Sequence, residues 1–226
     1  MCVENKQNYN GFIDICKFFM SILIVLGHYS YIIGQEFENV QIELNGIMGW
    51  CNVLLAPLVG VFFVISGWLI ANNYSTKIEM GQVDFVDFMR ERIKRIVPFA
   101  WFASTLFVVA DLLYRLVYGH WWAGRSISIS DAIMHFSETY VWIGGSRDIN
   151  GPVWYISVLL FCYILFFVIS RFVPEKYKIC LYCFMILLGT YICLGGGVKS
   201  YFCLLRWDEV IMPFFLELFV HTVAKK

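Results

Sequence analysis

Asp-Ile-Cys-Lys-Phe-Phe-Met-Ser-Ile-Leu-Ile-Val-Leu-Gly-His, residues 14–28, is the stretch that decides the fold. It lies inside an apolar run, Phe12 to Ile33, long enough to cross a bilayer as a helix. Lys17 sits near its start and His28 eleven positions later. At about 100° per residue, eleven steps return to within roughly 20° of the starting direction, so the two side chains share a face. At about 1.5 Å per residue they stand roughly 16 Å apart, about half the hydrocarbon thickness. Asp14 precedes Lys17 by three residues, on the same face and in pairing range. An acid, a cation and an imidazole on one stripe of a membrane helix are expected to face a bundle interior or a watery cavity, and are functional candidates.

The rest of the chain supports a membrane reading. Hydrophobic residues make up 60% of it and charged residues 15%, more apolar surface than a soluble domain of this size can bury. The formal net charge is zero, which suggests no nucleic-acid partner. Cys16, Cys162, Cys183 and Cys193 lie in apolar runs, where cysteine behaves as a small hydrophobe. Cys180 and Cys183 form a Cys-x-x-Cys with no histidine or acid nearby, so no metal site is expected. The N-terminal apolar run is too long for a signal peptide and is read as a mature helix.

Six membrane segments are predicted, at about 12–33, 47–71, 96–118, 152–171, 178–195 and 208–223. Gly60, Ser66 and Gly67 favour close helix packing in the second. Pro98 and Pro152 are read as helix starts. The sixth segment is short and carries Glu217 and His221. Basic residues concentrate in alternate loops: none in 34–46, then Lys77, Arg90, Arg92, Lys94 and Arg95 in 72–95. That bias predicts an all-α, multi-pass helix bundle with both termini in the cytoplasm.

The long loop 119–151 holds Trp121, Trp122, Tyr140 and Trp142, suited to a membrane interface. Residues 130–143 are expected to form a helix on the outer surface with Ser130 as its cap, either a lid or an aromatic belt. His120, His135 and Glu138 are read as solvated surface of that loop, and Asp111 and Arg115 as an ion pair. Asn150-Gly-Pro-Val-Trp-Tyr reads as a turn leading into a helix. Arg92 and Arg95, three apart, put two guanidinium forks on one helix face. They suit either phosphate binding or ordinary anchoring at anionic lipid.

Four stretches together resemble the acyltransferase 3 family of membrane proteins. Lys17, ten residues and His28 resemble its Arg/Lys-to-His signature, with Asp14 as the acid that precedes the cation. Phe-Phe-Val-Ile-Ser-Gly-Trp-Leu-Ile, 62–70, resembles its second-helix motif. Arg92-Ile-Lys-Arg95-Ile-Val-Pro98 is similar to its Arg-x-x-Arg-x-x-Pro, and Val153-Trp-Tyr-Ile-Ser-Val-Leu to a later helix start. Met212-Pro-Phe-Phe is similar to a further Pro-Phe-Phe element.

The resemblance implies transfer of an acyl group, usually acetyl, from acyl-coenzyme A to a hydroxyl of a cell-surface glycan, in a bacterial cytoplasmic membrane. Carried over by position, His28 is the catalytic imidazole, Lys17 its aligned cation with Asp14 beside it, and Arg92 and Arg95 the donor-side pair. His28 acts either as general base or as a transient acyl carrier. No bound cofactor or metal is implied; acetyl-coenzyme A is a substrate, and lipid, donor and glycan are the partners. Two departures stand out. Lysine replaces the commoner arginine at position 17, and lacks its planar fork. The chain also reads as one partial domain, 1–226, without the family's C-terminal helices. A partner chain supplying them, or an inactive fragment binding a partner or lipid, are therefore alternative expectations.

Overall fold

The structure, a computed structural model, describes residues 11–36, 38–121, 128–139, 149–193 and 208–224. They form seven α-helices and one 3₁₀ turn, with no strand among the described residues. The helices are α1 (Gly11–Glu36), α2 (Glu38–Glu79), α3 (Phe85–Tyr118), α4 (Ile129–Phe136), α5 (Trp154–Phe172), α6 (Glu175–Cys193) and α7 (Asp208–Ala224). The 3₁₀ turn, Gly151–Val153, leads directly into α5, as the Asn-Gly-Pro sequence predicts. Four stretches are long and apolar enough to span a membrane: Gly11–His28, Pro57–Glu79, Phe85–Tyr118 and Trp154–Phe172. The fifth and sixth predicted segments are α6 and α7, and the apolar part of α7, Ile211–Ala224, is short. The expected all-helical membrane bundle is what forms.

The chain divides into two compact units, Met1–Phe62 and Phe63–Lys226. In the first, α1 leaves Phe12, Phe18 and Val25 largely uncovered, apolar surface suited to lipid contact. In the predicted outer loop 34–46, residues 34–36 belong to α1 and residues 38–46 to α2 instead.

The second unit is organised around α5. Ile156, Val158, Leu160, Cys162, Phe166 and Ile169 are all buried. Phe88 of α3 is fully buried against Tyr74 of α2 (5.3 Å between ring centroids) and Phe167 of α5 (5.5 Å). Small residues set the closest approaches. A Cβ at Gly67 of α2 would come to 3.0 Å from the Phe214 carbonyl oxygen of α7, and one at Gly189 of α6 to 3.1 Å from the Met212 nitrogen of α7. The small-residue packing expected in the second segment therefore has Phe214 as its partner. At the other end of α2, the buried Lys178 ammonium of α6 pairs with Glu79 at 2.6 Å and with Glu175 at 2.9 Å. Arg171 of α5 donates to the Ile78 carbonyl at 3.3 Å.

Two predicted boundaries are corrected. The loop expected at 72–95 shrinks to 80–84, because α2 runs on to Glu79 and α3 starts at Phe85. Asp84 caps α3, accepting from the Val86 amide at 3.1 Å. Pro98 therefore lies inside α3 rather than at its start. The α3 C-terminus is closed by Gly119, at φ 77°, whose amide donates to the Arg115 carbonyl at 2.8 Å. That left-handed geometry is one glycine adopts without penalty.

Candidate functional site

The residues predicted on α1 do form a stripe. Lys17 Nζ lies 3.4 Å from Asp14 Oδ1. Ser21, which the sequence reading passed over, shares the face and donates its hydroxyl to the Lys17 carbonyl at 2.8 Å. At about 100° per residue, positions 14, 17, 21 and 28 fall within roughly 60° of one another. His28 Nδ1 is 2.9 Å from the Ile24 carbonyl oxygen. A carbonyl only accepts, so Nδ1 is the donor in this bond, and the matching uncharged tautomer is the one with its lone pair on Nε2. The Ile24 carbonyl thus orients the ring by its Nδ1 edge, leaving Nε2 as the nitrogen not engaged by that bond.

Arg92 and Arg95 lie on α3, in the second compact unit. Their roles diverge. Arg95 is exposed, whereas Arg92 is half-buried. The Arg92 guanidinium lies 4.4 Å from the Tyr74 ring centroid and 5.7 Å from that of Phe88. Such stacking holds a guanidinium plane without using its N–H donors. Its Nε is buried with no hydrogen-bond partner among the described residues. Tyr74 in turn donates its hydroxyl to Glu91 Oε2 at 2.7 Å. Arg92 is therefore a pre-oriented cation with donor capacity in reserve, suited to a phosphate-bearing ligand. Tyr74 and Glu91 as its supports were not visible in the sequence, because the contact crosses seventeen residues.

A third cluster corrects the reading of the long loop. Helix α4 begins at Ile129, capped by Ser128 rather than Ser130. Ser128 and Asp131 make a reciprocal capping box. One face of the segment packs on α3 while Ile129 and Ile133 stay exposed; the rest of the expected helix, 140–143, lies outside the described residues. Trp101 Nε1 of α3 donates to the Phe136 carbonyl at 2.8 Å, and Ser104 Oγ of α3 is 2.8 Å from His135 Nε2. Both anchors sit near the middle of α3, and Ser104 is roughly 21 Å along the axis from Tyr118. The chain after α3 thus folds back along it. His135 and Glu138, predicted to be solvated, are 1% and 3% exposed. Ser157 of α5 donates its hydroxyl to the Glu138 carbonyl. Burial lowers the His135 pKa to about 4 and raises that of Glu138 to about 7, because each charged form loses hydration. Arg115 lies 4.4 Å over the Trp121 ring. Asp111 is buried.

Among the described residues, no three of His, Cys, Asp and Glu gather as a metal site. No curated protein and no solved structure matches the chain. A family model described as an acyltransferase domain matches residues 10–217. The match runs through the α1 stripe, the basic pair on α3, the α5 start and the Pro-Phe-Phe element, so this chain belongs to the acyltransferase 3 family of integral-membrane acyltransferases.

Proposed function

We propose that the protein is an O-acyltransferase. It moves an acyl group, acetyl by preference, from acyl-coenzyme A to a hydroxyl of a cell-surface glycan, in a bacterial cytoplasmic membrane. The observation that carries this reading is the His28 ring, whose Nδ1–H is held by the Ile24 carbonyl and whose basic Nε2 shares a face with Lys17 and Asp14. In the chemistry proposed, Nε2 takes the proton of the acceptor hydroxyl. The acceptor oxygen attacks the thioester carbonyl, the carbon–sulfur bond breaks, and the proton passes to the coenzyme A thiolate. Attack by Nε2 itself, with a transient acyl-imidazole, uses the same tautomer. Arg92 and Arg95 are assigned to the donor's phosphates, Arg92 as the stacked, pre-oriented fork and Arg95 as the exposed one. Lys17, paired with Asp14, is assigned to stabilising negative charge that develops as the thioester is attacked.

The test is transfer of label from radioactive acetyl-coenzyme A to total surface glycan, in membranes with and without this chain. Base-labile label that appears only with the chain is the expected result. Label that is absent, or that resists base, overturns the proposal.

A further inference from the structure

Glu138 is placed at high energetic cost. Its φ of 55° lies in the left-handed region, the one non-glycine residue there among those described. Its side chain is 3% exposed. Its Oε2 is buried with no hydrogen-bond partner among the described residues, and it makes no ion pair there. A turn that needs only a left-handed residue is better served by glycine or asparagine. A buried carboxyl oxygen with nothing to accept is a second penalty. Strain and an unused acceptor at one residue are characteristic of a ligand site rather than of a structural turn.

The surroundings hold this residue in place. The Trp101 bond to the Phe136 carbonyl, the Ser104–His135 bond and the Ser157 bond to the Glu138 carbonyl pin the turn to α3 and α5 on both sides. The Glu138 amide donates to the His135 carbonyl at 3.0 Å. The turn is thus pinned on both sides, while the carboxyl Oε2 has no donor among the described residues. The Tyr155 phenol lies within electrostatic reach of it. The groups around it are neutral and polar: the Ser157 hydroxyl, the Tyr155 phenol and the His135 imidazole, which burial keeps uncharged, so the fitting ligand group is an uncharged O–H donor.

We propose that Glu138 is a ligand-binding residue that receives a hydroxyl of the acyl acceptor, an uncharged polyhydroxyl compound of the sugar class. The word acceptor rests on the function proposed above; the binding itself does not. The test is therefore binding, not turnover: equilibrium dialysis of radiolabelled methyl glycosides of glucose, galactose and N-acetylglucosamine against the purified chain in detergent. The parent is expected to bind at least one of them. Glu138→Gln is expected to weaken that binding at least tenfold. Glu138→Gly, which relieves the backbone strain and so favours folding, is expected to abolish it. No glycoside bound by the parent overturns the inference, as does binding within twofold of the parent in the folded Gln or Gly variant. Stronger binding of glucosamine, which carries an ammonium, than of the neutral glycosides overturns the uncharged-hydroxyl assignment. If glycosides bind but acetyl is not transferred, the function proposed above fails and Glu138 stands.

Discussion

Ser104 Oγ and His135 Nε2 are 2.8 Å apart and both residues are 1% exposed. Their bond joins the middle of α3 to the end of α4 across thirty-one residues of sequence. Together with the Trp101 bond to the Phe136 carbonyl, it holds the chain after α3 back along that helix.

Replacing Ser104 with alanine leaves the buried imidazole without that partner, which costs about 1–3 kcal/mol. The expected outcome is a clear drop in the melting temperature of purified protein in detergent. An unchanged melting temperature would mean the bond does not hold α4.

The acid and base of this segment respond to pH in opposite senses. Glu138 has a folded pKa raised from 4.5 to about 7, so its contribution is fully favourable below pH 4.5 and is lost as pH rises through 7. His135 has a folded pKa lowered from 6.5 to about 4, so its penalty grows as pH falls from 6.5 towards 4. Glu138→Gln removes only the first effect. Its melting temperature relative to the parent is expected to rise between pH 5 and pH 8, by an amount worth up to about 3 kcal/mol. A difference that stays flat or falls with pH contradicts the burial of this carboxyl.

Glu138→Gly separates strain from binding. Relief of the left-handed conformation is worth about 1 kcal/mol or more, so the variant is expected to melt at or above the parent's temperature. Marked destabilisation would show that the carboxyl serves the fold.

Gly67 is the point where α2 meets the backbone of α7, and an added Cβ would lie 3.0 Å from the Phe214 carbonyl oxygen. Backbone cannot yield as a flexible side chain does. Gly67→Val is expected to cost about 1–3 kcal/mol through overpacking and to lower the yield of folded protein. Trp68→Phe, at a more exposed neighbouring position, is expected to have little effect in the same assay.

The two arginines are expected to separate by the same logic. Arg92→Lys loses both the planar stack on Tyr74 and the fork, and should raise the KM for acetyl-coenzyme A about tenfold. Arg95→Lys, at the exposed position, should raise it less. Equal effects in steady-state kinetics would contradict the distinction drawn from their burial.

What was legible in the sequence followed from local period. The α1 stripe is a matter of helical angle, and α1 supplies it. The charge and apolar pattern likewise gave the long helices, and Asn150-Gly-Pro gave the turn before α5. Boundaries set by capping were harder: Pro98 looked like a start, while Asp84, fourteen residues earlier, does the capping. Contacts between distant residues were not legible at all. His135 and Glu138 carry no local signal of burial, since the segment is held by bonds to Trp101, Ser104 and Ser157 that span nineteen to thirty-five residues. Ser21 was available from the same angular argument that paired Lys17 with His28.

The most direct measurement compares acetyl transfer by the parent and by His28→Ala, in membranes with equal amounts of inserted protein. Label from acetyl-coenzyme A on surface glycan is expected to fall at least a hundredfold in the variant, the range general acid–base catalysis supplies. Label within twofold of the parent would contradict the central claim that the imidazole on the α1 stripe performs the chemistry.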